Sequence, residues 1–231
     1  MKLFNKNNFL LIVLSFMIFS CASDKTIYYL QGDLKKSEIP STYDPVLQPA
    51  DELLIIISAE NPEVAAPYNL YSFILQTNTS VMGGQERTLT YLIGKDGTID
   101  MPILGTVKLE GLSRKEAIEK IKGLLVGHIK EPIVNLRLTN FKISVLGEVN
   151  KPGTLVIEND RVTILEALSF AGDLTIYGKR DGIKVIREVN GVKTINIINL
   201  TDTNLINSPY YFLDQNDVVY VEPNKTKINS S

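Results

Sequence analysis

The chain of 231 residues has no tryptophan, one histidine and one cysteine. Those shortages remove most site chemistry. A Ser-His-Asp triad would hang on His128 alone, which reads as a residue near a helix end, and no G-x-S-x-G surrounds any serine. Zinc needs several His or Cys ligands, and they are missing. A phosphate loop is missing too. Gly94-Lys95-Asp96-Gly97-Thr98 has the wrong spacing and joins two strand-like runs, where a strand-to-helix turn is required. The adjacent acids Asp51-Glu52 and the Asp96/Asp100 pair stand in strand ends and turns. The expectation is a chain that is not an enzyme, with no cofactor and no metal. The net charge of −2 gives no basic field for nucleic acid. Long apolar runs are scarce as well. No stretch after Cys21 approaches the roughly 20 residues that a membrane-spanning helix takes.

What is present begins with a targeting segment. Lys2 and Lys6 make a basic start, and Phe9 to Phe19 is an apolar run of eleven residues broken only by Ser15. That is too short to span a bilayer and suits a signal-peptide core. Ser20 then precedes the lone cysteine, Cys21, in the manner of a lipobox. An unpaired thiol is unusual in a secreted protein, so Cys21 is expected to be lipidated after removal of residues 1–20. Two or more acyl chains hold a protein firmly on a membrane. Residues 21–42 are polar and mixed, and read as a tether to the first domain with a short strand at Ile27 to Leu30.

The most informative stretch is Ile143 to Gly172. Ile143 and Val145 make a short apolar strand. Asn150-Lys151-Pro152-Gly153 is turn chemistry, and Thr154 to Ile157 is β-rich. Thr163 stands three residues before Glu166, the capping-box spacing. Leu165, Leu168 and Ala171 are expected to line one helix face, with Gly172 ending the helix. The same design occurs earlier. Gly105-Thr106-Val107 parallels Gly153-Thr154-Leu155, and Ser113-x-x-Glu116-Ala117-Ile118 parallels Thr163-x-x-Glu166-Ala167-Leu168. The fold class is therefore α+β: two small β-rich modules in series, each with one capped helix, over residues 43–142 and 143–223, before a polar, frayed tail at 224–231.

Within the first module, Leu53 to Ser58 is an apolar strand. Asp96-Gly97 between Thr88–Ile93 and Thr98–Met101 is a hairpin signal. Ala117, Ile118, Ile121, Leu124 and Leu125 form the helix stripe, and Ile133 to Leu138 alternates as a strand. Tyr68 and Tyr71, in the ambiguous stretch Tyr68 to Glu86, either pack on their own domain or stack on sugar rings. In the second module, Lys179 and Arg180 form a basic turn that is either solvated or in contact with an acidic sugar or a neighbouring subunit. Asn190-Gly191 is a second hairpin signal. Ser208 to Leu213 and Asp217 to Val221 are expected to close the sheet.

These motifs carry a resemblance. Gln48-Pro49-Ala50-Asp51-Glu52-Leu53-Leu54-Ile55-Ile56-Ile57 resembles the "GPGDxLxIxV" opening of the polysaccharide export domain, with Ala50 where that family has Gly. Tyr91 to Ser113 resembles its central signature. Val145 to Gly153, VLGEVNKPG, resembles the entry to a soluble-ligand-binding β-grasp domain. Order and spacing match the Wza-like polysaccharide biosynthesis/export lipoproteins of the Gram-negative outer membrane. The resemblance implies a lipid-anchored protein of the outer membrane facing the periplasm. It implies a homo-oligomeric ring that serves as a passive conduit for polysaccharide, with an inner-membrane polysaccharide co-polymerase as partner. Many relatives carry a further C-terminal pore helix. This chain shows none by Ser231, so the expectation is truncation or docking on a membrane-spanning protein. The reading from another class is a lipid-anchored glycan-binding module that uses the Tyr68 to Phe73 loop.

Substitution Cys21→Ser is expected to leave the protein soluble or unprocessed. Fractionation of membranes checks this, and persistence of the variant in the outer membrane would refute the anchor.

Overall fold

The computed structural model describes residues 27–33, 45–75, 84–189 and 191–230. Cys21, the stretch 76–83 and Asn190 lie outside the described residues. The apolar residues gather into two clusters, one per module, which share only Leu138 at their margins.

In the first unit, β1 (Glu52–Ser58) is the central strand. Leu53, Ile55 and Ile57 are buried while Ile56 is exposed, so the apolar run is a half-buried strand with one core face. Asn61 caps α1 (Pro62–Ala65), and a 3-10 turn at Ala66–Tyr68 leads to the hairpin of β2 (Tyr71–Leu75) and β3 (Gly84–Thr88). The strands β4 (Tyr91–Leu92), β5 (Thr98–Met101) and β6 (Gly105–Lys108) precede α2 (Arg114–Leu125) and β7 (Ile133–Leu138). The sheet order is β4-β1-β7, and β5 pairs with β6 alone.

This corrects the hairpin expected around Asp96-Gly97. The turn itself forms, with the Gly94 N–H donating to Thr98 O at 2.9 Å. Its flanks then part. β4 goes to β1, and β5 folds onto β6 so that buried Ile99 meets buried Val107. Apolar burial on two different neighbours overrides the local turn signal.

In the second unit, β8 (Lys142–Gly147) and β9 (Gly153–Val156) form the hairpin expected around Pro152-Gly153. β10 (Val162–Thr163) leads into α3 (Ile164–Phe170), and β11 (Ile183–Val189) pairs with β12 (Val192–Ile198) over seven residue pairs. A 3-10 turn at Thr203–Asn207 precedes β13 (Phe212–Leu213), β14 (Val218–Val221) and α4 (Lys225–Ser230). The five-stranded order is β12-β11-β14-β8-β9. β14 lies inside the sheet, parallel to β8 and antiparallel to β11, so it does not close an edge. β13 pairs instead with β10, away from the main sheet. The C-terminal segment is not frayed. The Asn224 side chain accepts from the Lys227 N–H at 3.1 Å, and Lys227 pairs with Glu148.

Both capping boxes are formed. Ser113 accepts from the Glu116 N–H while Glu116 accepts from the Ser113 N–H, and Thr163 and Glu166 do the same. Each such cap is worth about 1 kcal/mol. The buried stripes are shifted or narrower than the sequence pattern predicts. On α3 they are Ile164, Ala167, Leu168 and Ala171, since the helix begins directly after Thr163, and Leu165 sits at the margin. On α2 they are Ala117, Ile121 and Leu125, at i, i+4 and i+8, while Leu124 is exposed.

The tether departs most from expectation. Its described part, Ile27–Asp33, lies on the second unit. The Leu30 and Gln31 N–H groups donate to Leu200 O and Thr201 O at 3.0 and 2.6 Å, and the Thr203 N–H donates to Gln31 O at 3.1 Å. The strand expected at Ile27 to Leu30 reduces to one parallel bridge, Gln31 to Asp202.

Gly147 closes β8 at φ +90, where an added Cβ would stand 2.1 Å from Val221 O. Only a glycine lets the β8 backbone come this close to β14. Gly147→Ala is expected to destabilise the chain by about 3 kcal/mol or more, from left-handed strain plus overpacking. Denaturant unfolding of the variant measures it, and an unchanged midpoint would contradict the close approach.

Candidate functional site

The units meet where β7 runs on into β8 through Thr139, Asn140 and Phe141. The Asn140 side chain accepts from the Glu52 N–H at 3.0 Å and donates to Ala50 O at 2.9 Å, both in the first unit. Its own carbonyl accepts from Gln215 Nε2 at 2.9 Å, and Gln215 Oε1 accepts from the Lys142 N–H at 2.8 Å. Thr139 bonds Glu52 O through both its N–H and its hydroxyl, at 2.8 and 3.0 Å. Arg114, first residue of α2, pairs with Asp160 of the second unit at 2.9 Å.

A cavity of about 40 Å³ lies in this seam, lined by Gln48, Asp51, Arg114, Asp160, Asp214 and Gln215 among apolar neighbours. That is room for about three waters. A larger open cleft of about 620 Å³ lies alongside, between Gln48, Pro49 and Glu110 of the first unit and Ile186, Glu188 and Lys193 of the second.

Asp51 is 2% exposed, and burial pushes its carboxyl up to about 6. One oxygen accepts from the Gln48 N–H at 2.9 Å, whereas Oδ1 has no hydrogen-bond partner in the protein. The residue before it, Ala50, has φ +72. The alanine therefore takes the left-handed turn conformation that the resembling family fills with Gly, and the turn is kept at a strain of about 1–2 kcal/mol. Across the cavity, Asp214 is pushed up to about 7 by burial and by Asp217. Arg187 lies between those two acids, 2.8 Å from Asp214 and 2.6 Å from Asp217. Its Nη2 also donates to Phe212 O at 3.0 Å, and Tyr210 stacks on the guanidinium at 5.1 Å. With every charge satisfied inside the second core, this network is a structural brace. The sequence carried its signal. Ile183, Val185 and Arg187 alternate, which puts the arginine on the core face, where it needs acids such as Asp214 and Asp217.

The four residues considered for glycan contact are not brought together. Tyr68 is 8% exposed and belongs to the first core, its ring edge-on to exposed His128 at 6.0 Å. A ring so enclosed has no face for a sugar. Tyr71 opens β2 and is half-buried. Lys179 and Arg180 are half-buried in the other unit, where Arg180 stacks on Tyr29 at 5.8 Å and donates to Gly178 O at 3.2 Å. The Tyr29 hydroxyl donates to Asp173 at 2.5 Å, and its pKa is pushed up by burial and by that acid. The basic turn thus clamps the N-terminal strap. Among the described residues no group of three or more His, Cys, Asp or Glu could hold a metal, and no helix is long and apolar enough to cross a membrane. Asp96 and Asp100 bond Thr98 and Thr106 within turns and hairpins.

Two family models divide this architecture at the seam. Residues 39–139 match the polysaccharide biosynthesis/export protein family, and residues 141–221 match the SLBB domain. The chain belongs to the polysaccharide biosynthesis/export family. Among curated proteins it is similar to the EPS I polysaccharide export outer membrane protein EpsA of Ralstonia nicotianae and of Ralstonia solanacearum. Each is 28% identical over 140 residues, which is 59% of this chain and 37% of the relative. This polysaccharide biosynthesis/export protein thus matches little more than a third of its curated relatives' length.

The raised Asp51 carboxyl has a thermodynamic consequence. Its folded pKa lies above the unfolded value, so the fold favours the protonated acid, and that contribution is lost as pH rises from about 4 to about 6. Asp51→Asn keeps an acceptor for the Gln48 N–H and removes the titration. Relative to wild type it is expected to gain about 2–3 kcal/mol between pH 4 and pH 7. Urea unfolding at the two pH values measures this, and a pH-independent difference would refute it.

Proposed function

We propose that this chain is an outer-membrane-anchored periplasmic subunit of a polysaccharide export channel, acting as a non-enzymatic oligomeric conduit. The observation that carries the reading is the succession, in one chain, of a polysaccharide export region and an SLBB domain. The Ralstonia relatives, named for EPS I polysaccharide export at the outer membrane, support it.

The strap supports one orientation of the proposed conduit. Cys21, taken as the lipidated residue, lies six residues before Ile27. Six extended residues span about 20 Å. The bonding of Ile27–Asp33 to the second unit supports a setting in which the lipid would hold that unit next to the membrane and the first unit would point into the periplasm. The seam keeps the two stacked. In this reading the chain does no chemistry on the polymer. It encloses a passage, and force comes from biosynthesis and from an inner-membrane polysaccharide co-polymerase on the first unit's side.

Mass measurement of the acylated protein in detergent tests the proposal. A closed oligomer of one stoichiometry is expected. A monomer that binds oligosaccharide would replace the conduit with a glycan-binding module.

A further inference from the structure

Among the described residues the sheet of the second unit ends in two edge strands, β12 on one side and β9 on the other. β12 runs in the same direction as β8, through antiparallel β11 and β14 parallel to β8, whereas β9 runs against β8. The two edges therefore point in opposite directions. A β12 edge laid beside the β9 edge of another copy gives an antiparallel pair, which is the more stable pairing.

The backbone phases agree as well. The two-residue loop after Val189 closes on the Val189–Val192 pair, so residues 192, 194 and 196 bond to β11 and residues 193, 195 and 197 turn their N–H and C=O outward. On the other edge the Ile157 N–H donates to Phe141 O at 2.8 Å, so residues 154, 156 and 158 are the ones turned outward. Side chains follow the same phase. Ile195 shares a face with Ile186, Val218, Ser144 and Thr154 through successive ladder partners. That face is the outer one, opposite the buried Val185, Val219 and Val145.

We propose that β12 of one copy pairs antiparallel with β9 of the next, with Ile195 opposite Val156. The proposal rests on the oligomeric reading above and names its contact. The register sets Lys193 opposite Glu158 and Ile197 opposite Thr154. It covers Ile195, Ile197 and Val156, which are 63, 71 and 70% exposed in the single chain. A second copy is the occupant because this chain carries both halves of the match: a cation against an acid at one end, and β-branched residues against each other beyond it. β12 also lacks the usual edge protection. It has no proline and no bulge over its seven pairs, and its one charge stands near its start. The surfaces that meet are different, so the contact is heterologous and closes into a ring when the rotation per copy allows.

Cysteine pairing tests the contact on the full-length acylated chain. Opposed residues of such a pair have Cα atoms about 5.5 Å apart, within disulfide reach. The double variant Ile195→Cys with Val156→Cys should give, on mild oxidation, a ladder of covalent multimers ending at the native oligomer's mass, while each single variant stays monomeric on a denaturing gel. In parallel, Lys193→Glu and Glu158→Lys should each raise the oligomer's dissociation constant by about threefold or more, and the charge-swapped double should recover it. If the native chain is oligomeric but the cysteine double stays monomeric and the charge swap rescues nothing, this contact is overturned while the conduit reading stands. A native chain that is monomeric in detergent overturns both.

Discussion

Asn140 sits on the crossing from β7 to β8 between the two halves of the molecule. Its amide saturates Glu52 N–H and Ala50 O in one half, and its carbonyl takes Gln215 of the other. A buried or half-buried amide in that position tolerates little rotation, because any swing leaves polar groups of two β-strands unsatisfied at about 1–3 kcal/mol each. The Arg114–Asp160 pair adds a second tie away from the crossing. It is exposed and worth under about 1 kcal/mol, so it restricts twist more than it adds stability. These contacts tie the two small cores to each other across the seam. A subunit of an assembly needs a set angle there, since an error at each seam accumulates around the assembly.

What was legible in the chain was local. Thr163 with Glu166 and Ser113 with Glu116 each decide a helix start within four residues, and both boxes formed. The Asp96-Gly97 turn was legible too, but its strands were not. Whether β4 pairs with β5 or with β1 depends on apolar surface about forty residues upstream, and no local pattern encodes that choice. The strap was invisible for a stronger reason. Leu30 and Gln31 find their partners at Leu200 and Thr201, near the other end of the chain. Arg187 could have been read from the alternation of β11, but its acids stand about thirty residues on.

At the seam, legibility and chemistry part company. The sequence left Tyr68 open between packing on its own domain and stacking on sugar rings. The 3-10 turn at Ala66–Tyr68 drives the ring into the core, and buried Asn69 completes the plug by bonding both Ile57 N–H and Ile57 O at 2.8 Å. Asp51, which looked like a plain strand-opening acid, is the unusual group. It is buried with one oxygen unpartnered and faces the cavity of about 40 Å³ shared with Asp214. A carboxyl held that way weakens the fold at neutral pH. Its location at the turn that Asn140 grips ties this local penalty to the relative setting of the two units.

The exposed surface of the second sheet bears on the proposed assembly. Side chains able to attack, reduce or coordinate are scarce throughout, and the acids that are perturbed are bound into turns and braces. The second sheet nevertheless leaves isoleucines on an unprotected edge, which a chain working alone would have reason to blunt with charge or proline. Loss of that protection is tolerable if the edge is covered in the working state, and the opposite edge of the same sheet has the matching direction, phase and charge. In the proposed assembly, a strap anchored at Cys21 would confine copies to a layer in one orientation. Confinement raises their effective concentration and removes most of the rotational freedom that association otherwise loses. Weak edge-to-edge contacts can then close an assembly that the same contacts would not hold together in free solution.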